Sequence, residues 1–183
     1  MKILINSLRI YQKTLTSFSV LDIYKKYNMN KLIICRGLPA SGKTTWAKEW
    51  VMRDPNHRIR VNQDDIRLML GKYWVPDREK LVRIILYNAV ARAMQYRFNI
   101  VVDNTNLNPE ILNKLETLVE NCNRDFKVSY TIQYEDFFNV SLGECLRRNE
   151  IRNASLPKDT QIADEVIVGM YERYKDVYNL KTN

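Results

Sequence analysis

From residue 31 onward, short apolar runs alternate with longer stretches of helical periodicity. Leu32-Ile33-Ile34-Cys35 is uninterrupted and stops at Arg36-Gly37, as a buried parallel strand does. The stretch from Lys43 to about Met52 predicts a helix that closes before Asp54-Pro55. Ile59-Arg60-Val61 predicts a second strand. Asp64 or Asp65 then caps a short helix ending near Gly71. A long helix is predicted from about Asp77 to Phe98, with Leu81, Ile84, Ile85, Ala89 and Ala93 as its apolar face. Ile100-Val101-Val102 is a third strand. Pro109 opens a helix that runs to about Cys122, and Phe126 to Tyr134 forms a fourth strand. Ser141 caps a helix carrying Arg147, Arg148 and Arg152, and a last helix covers about Ala163 to Tyr178.

Strands alternating with helices predict an α/β fold, a parallel sheet of four to five strands covered on both faces. Ligands bind such sheets at the carboxyl ends of the strands. Residues 1–28 stand outside the alternation, with one helix predicted from about Val20 to Tyr27. Met29 reads as a natural start, so the chain divides into an extension, 1–28, and a domain, 29–183. The extension is either an added element or the product of an upstream start codon.

Composition narrows the class. A chain of 183 residues with 45% hydrophobic and 27% charged residues suits one soluble domain and excludes disorder. Lys and Arg total 29 against 21 Asp and Glu, a net charge of +8 that favours polyanionic partners such as nucleic acid. Cys35, Cys122 and Cys145 match no zinc spacing and read as buried thiols in a reducing compartment. A single histidine, His57, argues against histidine-based chemistry. No apolar run approaches the roughly 20 residues that span a bilayer. The first run, Ile3 to Ile5, is soon broken by Asn6, Arg9, Gln12 and Lys13, unlike a secretory signal. The expected location is cytoplasmic, with no membrane partner.

Gly37-Leu38-Pro39-Ala40-Ser41-Gly42-Lys43-Thr44 matches G-x-x-x-x-G-K-[ST] at every fixed position. This is the P-loop pattern, and residues 37–45, through Thr45, are expected to hold a nucleoside triphosphate. Glycines let successive N–H groups turn onto phosphate oxygens, and the following helix points its positive end at the same anion. Lys43 supplies charge to the β- and γ-phosphates, and the Thr44 hydroxyl is a hard ligand for Mg²⁺. A regulatory GTPase would need N-K-x-D. The nearest string, Asn113-Lys114-Leu115-Glu116, lies in a predicted helix and lacks the Asp. A small single domain suggests a kinase.

An acceptor hydroxyl needs a carboxylate to take its proton and cations to offset charge on the transferring group. Asp64 and Arg67 share one helix face: one could act as base while the other holds an acidic group, or Asp64 could simply cap a helix. Asp103-Asn104-Thr105-Asn106 follows the third strand. Such a polar run could orient Mg²⁺ water, Thr44 or the nucleotide, or be an Asx-rich turn that starts a helix. Arg148 and Arg152 share a face, with Arg147 about 100° away. They could form a mobile helical lid over the phosphates, or an exposed basic helix with Glu144 paired to Arg148.

The strings GLPASGKTTW, NQDDIR, VVDNTNLNP and LRRNEIR occur together in the order and spacing of the bacteriophage polynucleotide kinase family, and residues from about 30 to 175 resemble its kinase domain. The resemblance implies an adenylate-kinase-like P-loop fold with a helical lid. It also implies transfer of the γ-phosphate of ATP, with Mg²⁺, to the 5′-hydroxyl of DNA or RNA. By matching position, Asp64 resembles the general base and Arg67 the residue gripping the acceptor's phosphate. Lys43 and Thr44 match the P-loop lysine and metal-binding hydroxyl. Arg152 resembles the lid arginine, with Arg148 a second candidate. Asn104, Thr105 and Asn106 fall in the stretch that supports acceptor and site geometry. Gln63 stands where some members are basic, and Asn104 where an acid can occur, with Asp103 one place earlier. The family's phosphatase motif D-x-D-G-T does not occur in the sequence, so a kinase without 3′ end healing is expected, in host cytoplasm if phage-encoded. Two rivals are a kinase for a small-molecule or protein hydroxyl and a nucleotide-dependent binding module.

Overall fold

A computed structural model describes residues 30–182. The extension 1–28, and the helix expected at Val20–Tyr27, lie outside the described residues.

Four strands form one sheet in the order β2-β3-β1-β4: β1 (Asn30–Arg36), β2 (Arg58–Val61), β3 (Asn99–Val102) and β4 (Tyr130–Asp136). Every pairing is parallel, with Leu32 opposite Ile100 and Ile132, and Val61 opposite Val102. Among the described residues, six α-helices connect and follow them: α1 (Lys43–Met52), α2 (Gln63–Met69), α3 (Glu79–Gln95), α4 (Pro109–Phe126), α5 (Leu142–Asn153) and α6 (Asp164–Tyr178).

Strand side chains alternate between faces, and the core follows that alternation. Leu32 and Ile34 of β1 pack with Ile100 and Val102 against Val82, Leu86 and Val90 of α3 and Leu115 and Val119 of α4. Ile33, Cys35 and Val101 point the other way onto Ala47, Trp46 and Trp50 of α1. Each fully buried aliphatic side chain in such a layer stabilises it by about 1.5–3 kcal/mol. A third cluster joins Leu38 of the P-loop and Leu107, after β3, to Cys145 of α5 and Ile167 and Tyr171 of α6. It anchors the last two helices beside the strand ends. All three cysteines are buried, and burial raises their thiols, that of Cys35 to about 12, so they stay protonated.

Several expected details change. The cap of α2 is Asn62, whose side chain accepts from the Asp65 N–H at 2.7 Å; Asp64 and Asp65 lie inside the first turn. The long helix begins at Glu79, after a 3₁₀ turn at Pro76–Arg78, and ends at Gln95. Its buried stripe is Val82, Leu86, Val90, Ala93 and Met94, while Leu81 and Ile84 are exposed. Its first half is apolar on two adjoining stripes, and the sheet takes the one that the pattern did not favour. The fourth helix extends through Phe126 because Lys127, at φ 51°, closes it in the left-handed region. The strand after it therefore starts at Tyr130, not Phe126. Among the described residues no helix is long and apolar enough to cross a membrane.

Candidate nucleotide and acceptor site

The P-loop leaves β1 at Gly37 and enters α1 at Lys43. Gly37 has φ 152°, and a Cβ there would sit 2.9 Å from Ser41 Oγ and 3.0 Å from Phe137 Cβ. Gly42, the cap of α1, has φ 103°. Both positions require glycine, one for space and one for backbone conformation. The stretch after β3 pins the loop: Gly37 N–H donates to the Thr105 carbonyl at 3.0 Å. Asn106 is buried, with φ 45°, and its Nδ2 donates to the carbonyls of Cys35 at 2.8 Å and Val102 at 3.2 Å. Asn106 thus ties together the ends of the two central strands.

Lys43 lies inside this ring, only 6% exposed. Its Nζ donates to the Gly37 carbonyl (3.0 Å), the Leu38 carbonyl (2.6 Å) and Ser41 Oγ (3.2 Å). Burial lowers its pKa to about 8, opposed by the nearby charge of Asp103. Leu38 and Pro39 turn their side chains inward. Ala40, Gly42, Lys43, Thr44 and Thr45 line a cavity of about 380 Å³ with Arg148 and Arg152 of α5, large enough for a small ligand.

Asp103, also buried, follows β3. Its Oδ2 pairs with Arg60 Nε at 2.7 Å, and Arg60 reaches Asp65 at 2.5 Å. Asp103 Oδ1 is buried and takes no hydrogen bond. A buried carboxylate oxygen left over in this way suits a hydrated hard cation. The Thr44 hydroxyl and this oxygen are hard donors whose chemistry would suit Mg²⁺. Asn104 is otherwise engaged: its Oδ1 accepts from the Gln63 N–H at 2.9 Å and holds the start of α2. Among the described residues no three His, Cys, Asp or Glu side chains gather as a metal cage.

On the acceptor side, Asp64 Oδ1 accepts from Arg67 Nη1 at 2.6 Å and from the Tyr73 hydroxyl at 2.9 Å. Burial raises the Tyr73 phenol to about 12, helped by the Asp64 charge, so it remains a donor. Both donors are on Oδ1, and Oδ2 of this half-exposed carboxylate makes no hydrogen bond. Arg67 forks its other nitrogens onto Glu79 of α3, both at 2.8 Å. Asp64 is near enough to Lys43, and Arg152 to Tyr73, for their charges to act on one another.

On α5, Arg148 binds Glu144 at 2.6 Å and approaches the Ser41 carbonyl at 3.5 Å. Hydrogen bonds from Arg147, then Arg148, hold Glu144 down at about 2. The expected Glu144–Arg148 pair therefore coexists with Arg148 at the cavity wall. Arg152 Nη2 donates to Asn149 at 2.6 Å, and its buried Nε has no partner. The fully buried Asn149 donates in turn to the Ile162 carbonyl and Asp164.

Tyr73, Glu79 and Asn149 were not singled out from the sequence, because their partners lie on other turns or elements. Arg60 carried a signal, a charge between the apolar Ile59 and Val61.

A family model described as AAA domain matches residues 32–177. The chain belongs to that family. This AAA domain chain is 27% identical over 146 residues to the L-seryl-tRNA(Sec) kinase of Methanococcus maripaludis, covering 78% of this chain and 52% of that protein. It superposes on a chain of the Pnkp1/Rnl/Hen1 RNA repair complex with a TM-score of 0.67 at 24% identity, over 84% of this chain and 48% of the other. A second Pnkp1/Rnl/Hen1 structure gives 0.57 at 24% identity, over 75% and 44%. The AAA domain chain thus spans about half the length of these relatives, and the structural likeness shows its fold, a parallel sheet with helices around a P-loop.

Proposed function

We propose that the protein is an ATP-dependent polynucleotide kinase that moves the γ-phosphate of ATP to the 5′-hydroxyl end of DNA or RNA. The observation that carries this reading is the Asp64 carboxylate. One oxygen is clamped by Arg67 and Tyr73, the other makes no hydrogen bond, and the carboxylate is near enough to the P-loop lysine for the two charges to act on each other.

The P-loop amides and Lys43 hold the triphosphate, with Arg148 and Arg152 closing from α5. Thr44 and Asp103 would hold Mg²⁺, which would supply charge neutralisation at the phosphates when bound. Asp64 takes the hydroxyl proton as the acceptor oxygen bonds to the γ-phosphorus. The bond to the β-phosphate oxygen breaks, and ADP departs. Arg67, oriented by Glu79, meets the phosphate of the acceptor nucleotide. Asn104, Thr105 and Asn106 fix the loop against which the acceptor lies.

The test is transfer of label from γ-labelled ATP to 5′-hydroxyl DNA and RNA oligonucleotides, with Lys43→Ala as the blank. Label on free 5′ ends but not on 5′-phosphorylated ones is expected. Equal labelling of both would remove the proposal.

A second reading takes another hydroxyl as acceptor, small-molecule or protein-borne. The 27% identity to a kinase named for an aminoacyl-tRNA keeps it in view. It predicts label on a seryl-tRNA or small alcohol, with none on oligonucleotide ends.

A further inference from the structure

The segment from Gly71 to Ile84 runs from the helix bearing Asp64 into the first turns of α3. Its exposed residues include Lys72, Trp74, Asp77, Arg78, Lys80 and Arg83, one aromatic ring in a stretch where exposed cations outnumber acids, the composition of single-strand contact surfaces. Trp74 is 53% exposed. A tryptophan this open contributes less to folding than a core ring, yet it is not adrift. The Arg67 guanidinium lies 5.3 Å from its ring centroid, and its neighbour Tyr73 is bonded to Asp64. The ring thus lies beside Arg67, one of the two groups assigned to the acceptor, and next in sequence to the tyrosine bonded to the other.

We infer that Trp74 is the platform on which the terminal nucleobase of the acceptor strand stacks, with Lys72, Lys80 and Arg83 flanking the strand behind it. This rests on the polynucleotide reading above. A 5′-hydroxyl and its base belong to one nucleoside, so a hydroxyl at Asp64 brings its own base within reach of the residue next to Tyr73. Stacking is indifferent to base identity, so the platform favours a base over none without choosing a sequence.

Kinetics of wild type, Trp74→Ala and Trp74→Phe on oligonucleotides with either a normal or an abasic 5′-terminal residue would decide the matter. The alanine variant should raise KM for the normal end roughly five- to hundred-fold, while Trp74→Phe stays near wild type. Removing the base should raise the wild-type KM comparably and change little in Trp74→Ala. Circular dichroism and ATP affinity serve as the folding controls. A Trp74→Ala enzyme that still distinguishes normal from abasic ends as wild type does overturns the platform alone. Wild-type protein that labels no oligonucleotide overturns the polynucleotide reading and the platform with it.

Discussion

Asp64 is bound where its chemistry would be needed, since its two donors share one oxygen. Asp64→Ala should abolish phosphate transfer and leave ATP affinity within about twofold, because base-assisted proton removal is lost while phosphate contacts remain. Equal loss of both, by single-turnover and equilibrium binding measurements, would exclude the base role. Lys43 makes a different prediction. Its folded pKa of about 8 lies below the ordinary lysine value of 10.5, so the unfolded chain binds more protons between those values. Stability should therefore rise with pH across that window, by on the order of 3 kcal/mol, and be lost as pH falls through 8. Denaturant melts of wild type and Lys43→Met should diverge there, and parallel curves would refute the shift. The P-loop was legible because its spacing alone encodes its geometry. The Arg67–Glu79 fork was not, since it bridges two helices across a turn whose path no local pattern specifies.

The lid helix α5 is placed by its buried side. Cys145 packs into the cluster with α6, and Asn149 ties it to Ile162 and Asp164. Arg152 therefore projects from a fixed base toward the cavity. Arg152→Ala should lower turnover about 10³-fold, the lower end of the arginine-finger range, with a smaller change in ATP affinity. Normal turnover in steady-state assays would remove that role. Element by element, the alternation of strands and helices was readable from residue 31, since buried parallel strands are short apolar runs and helices are periodic. What failed was registration. The apolar face of α3 slid by one residue because Leu81, Val82, Ile84, Ile85 and Leu86 offer two stripes. Phe126 and Val128 look β-like, but a left-handed Lys127 separates helix from strand. Asn62 takes the cap because it is the last extended residue before the turn, a boundary that two following aspartates obscured.

At the scale of the molecule, the net charge of +8 makes any strand binding dependent on ionic strength. If three cations meet phosphates, affinity for a single-stranded oligonucleotide should fall roughly twentyfold between 50 and 200 mM salt, measured by fluorescence anisotropy. A flat response would leave the charge without that purpose. The sheet order, β2-β3-β1-β4, was not legible, because strand order depends on how crossovers pack and not on the strands themselves. The same order bears on biosynthesis. The grip on Gly37 and Cys35 comes from Thr105 and Asn106, the latter 71 residues downstream of its partner. A nascent chain emerging from the ribosome with only its first strand and helix would carry the whole glycine-rich signature yet lack the braces that shape it. Nucleotide capture would begin only once the third strand had docked, making triphosphate affinity a clock for late assembly.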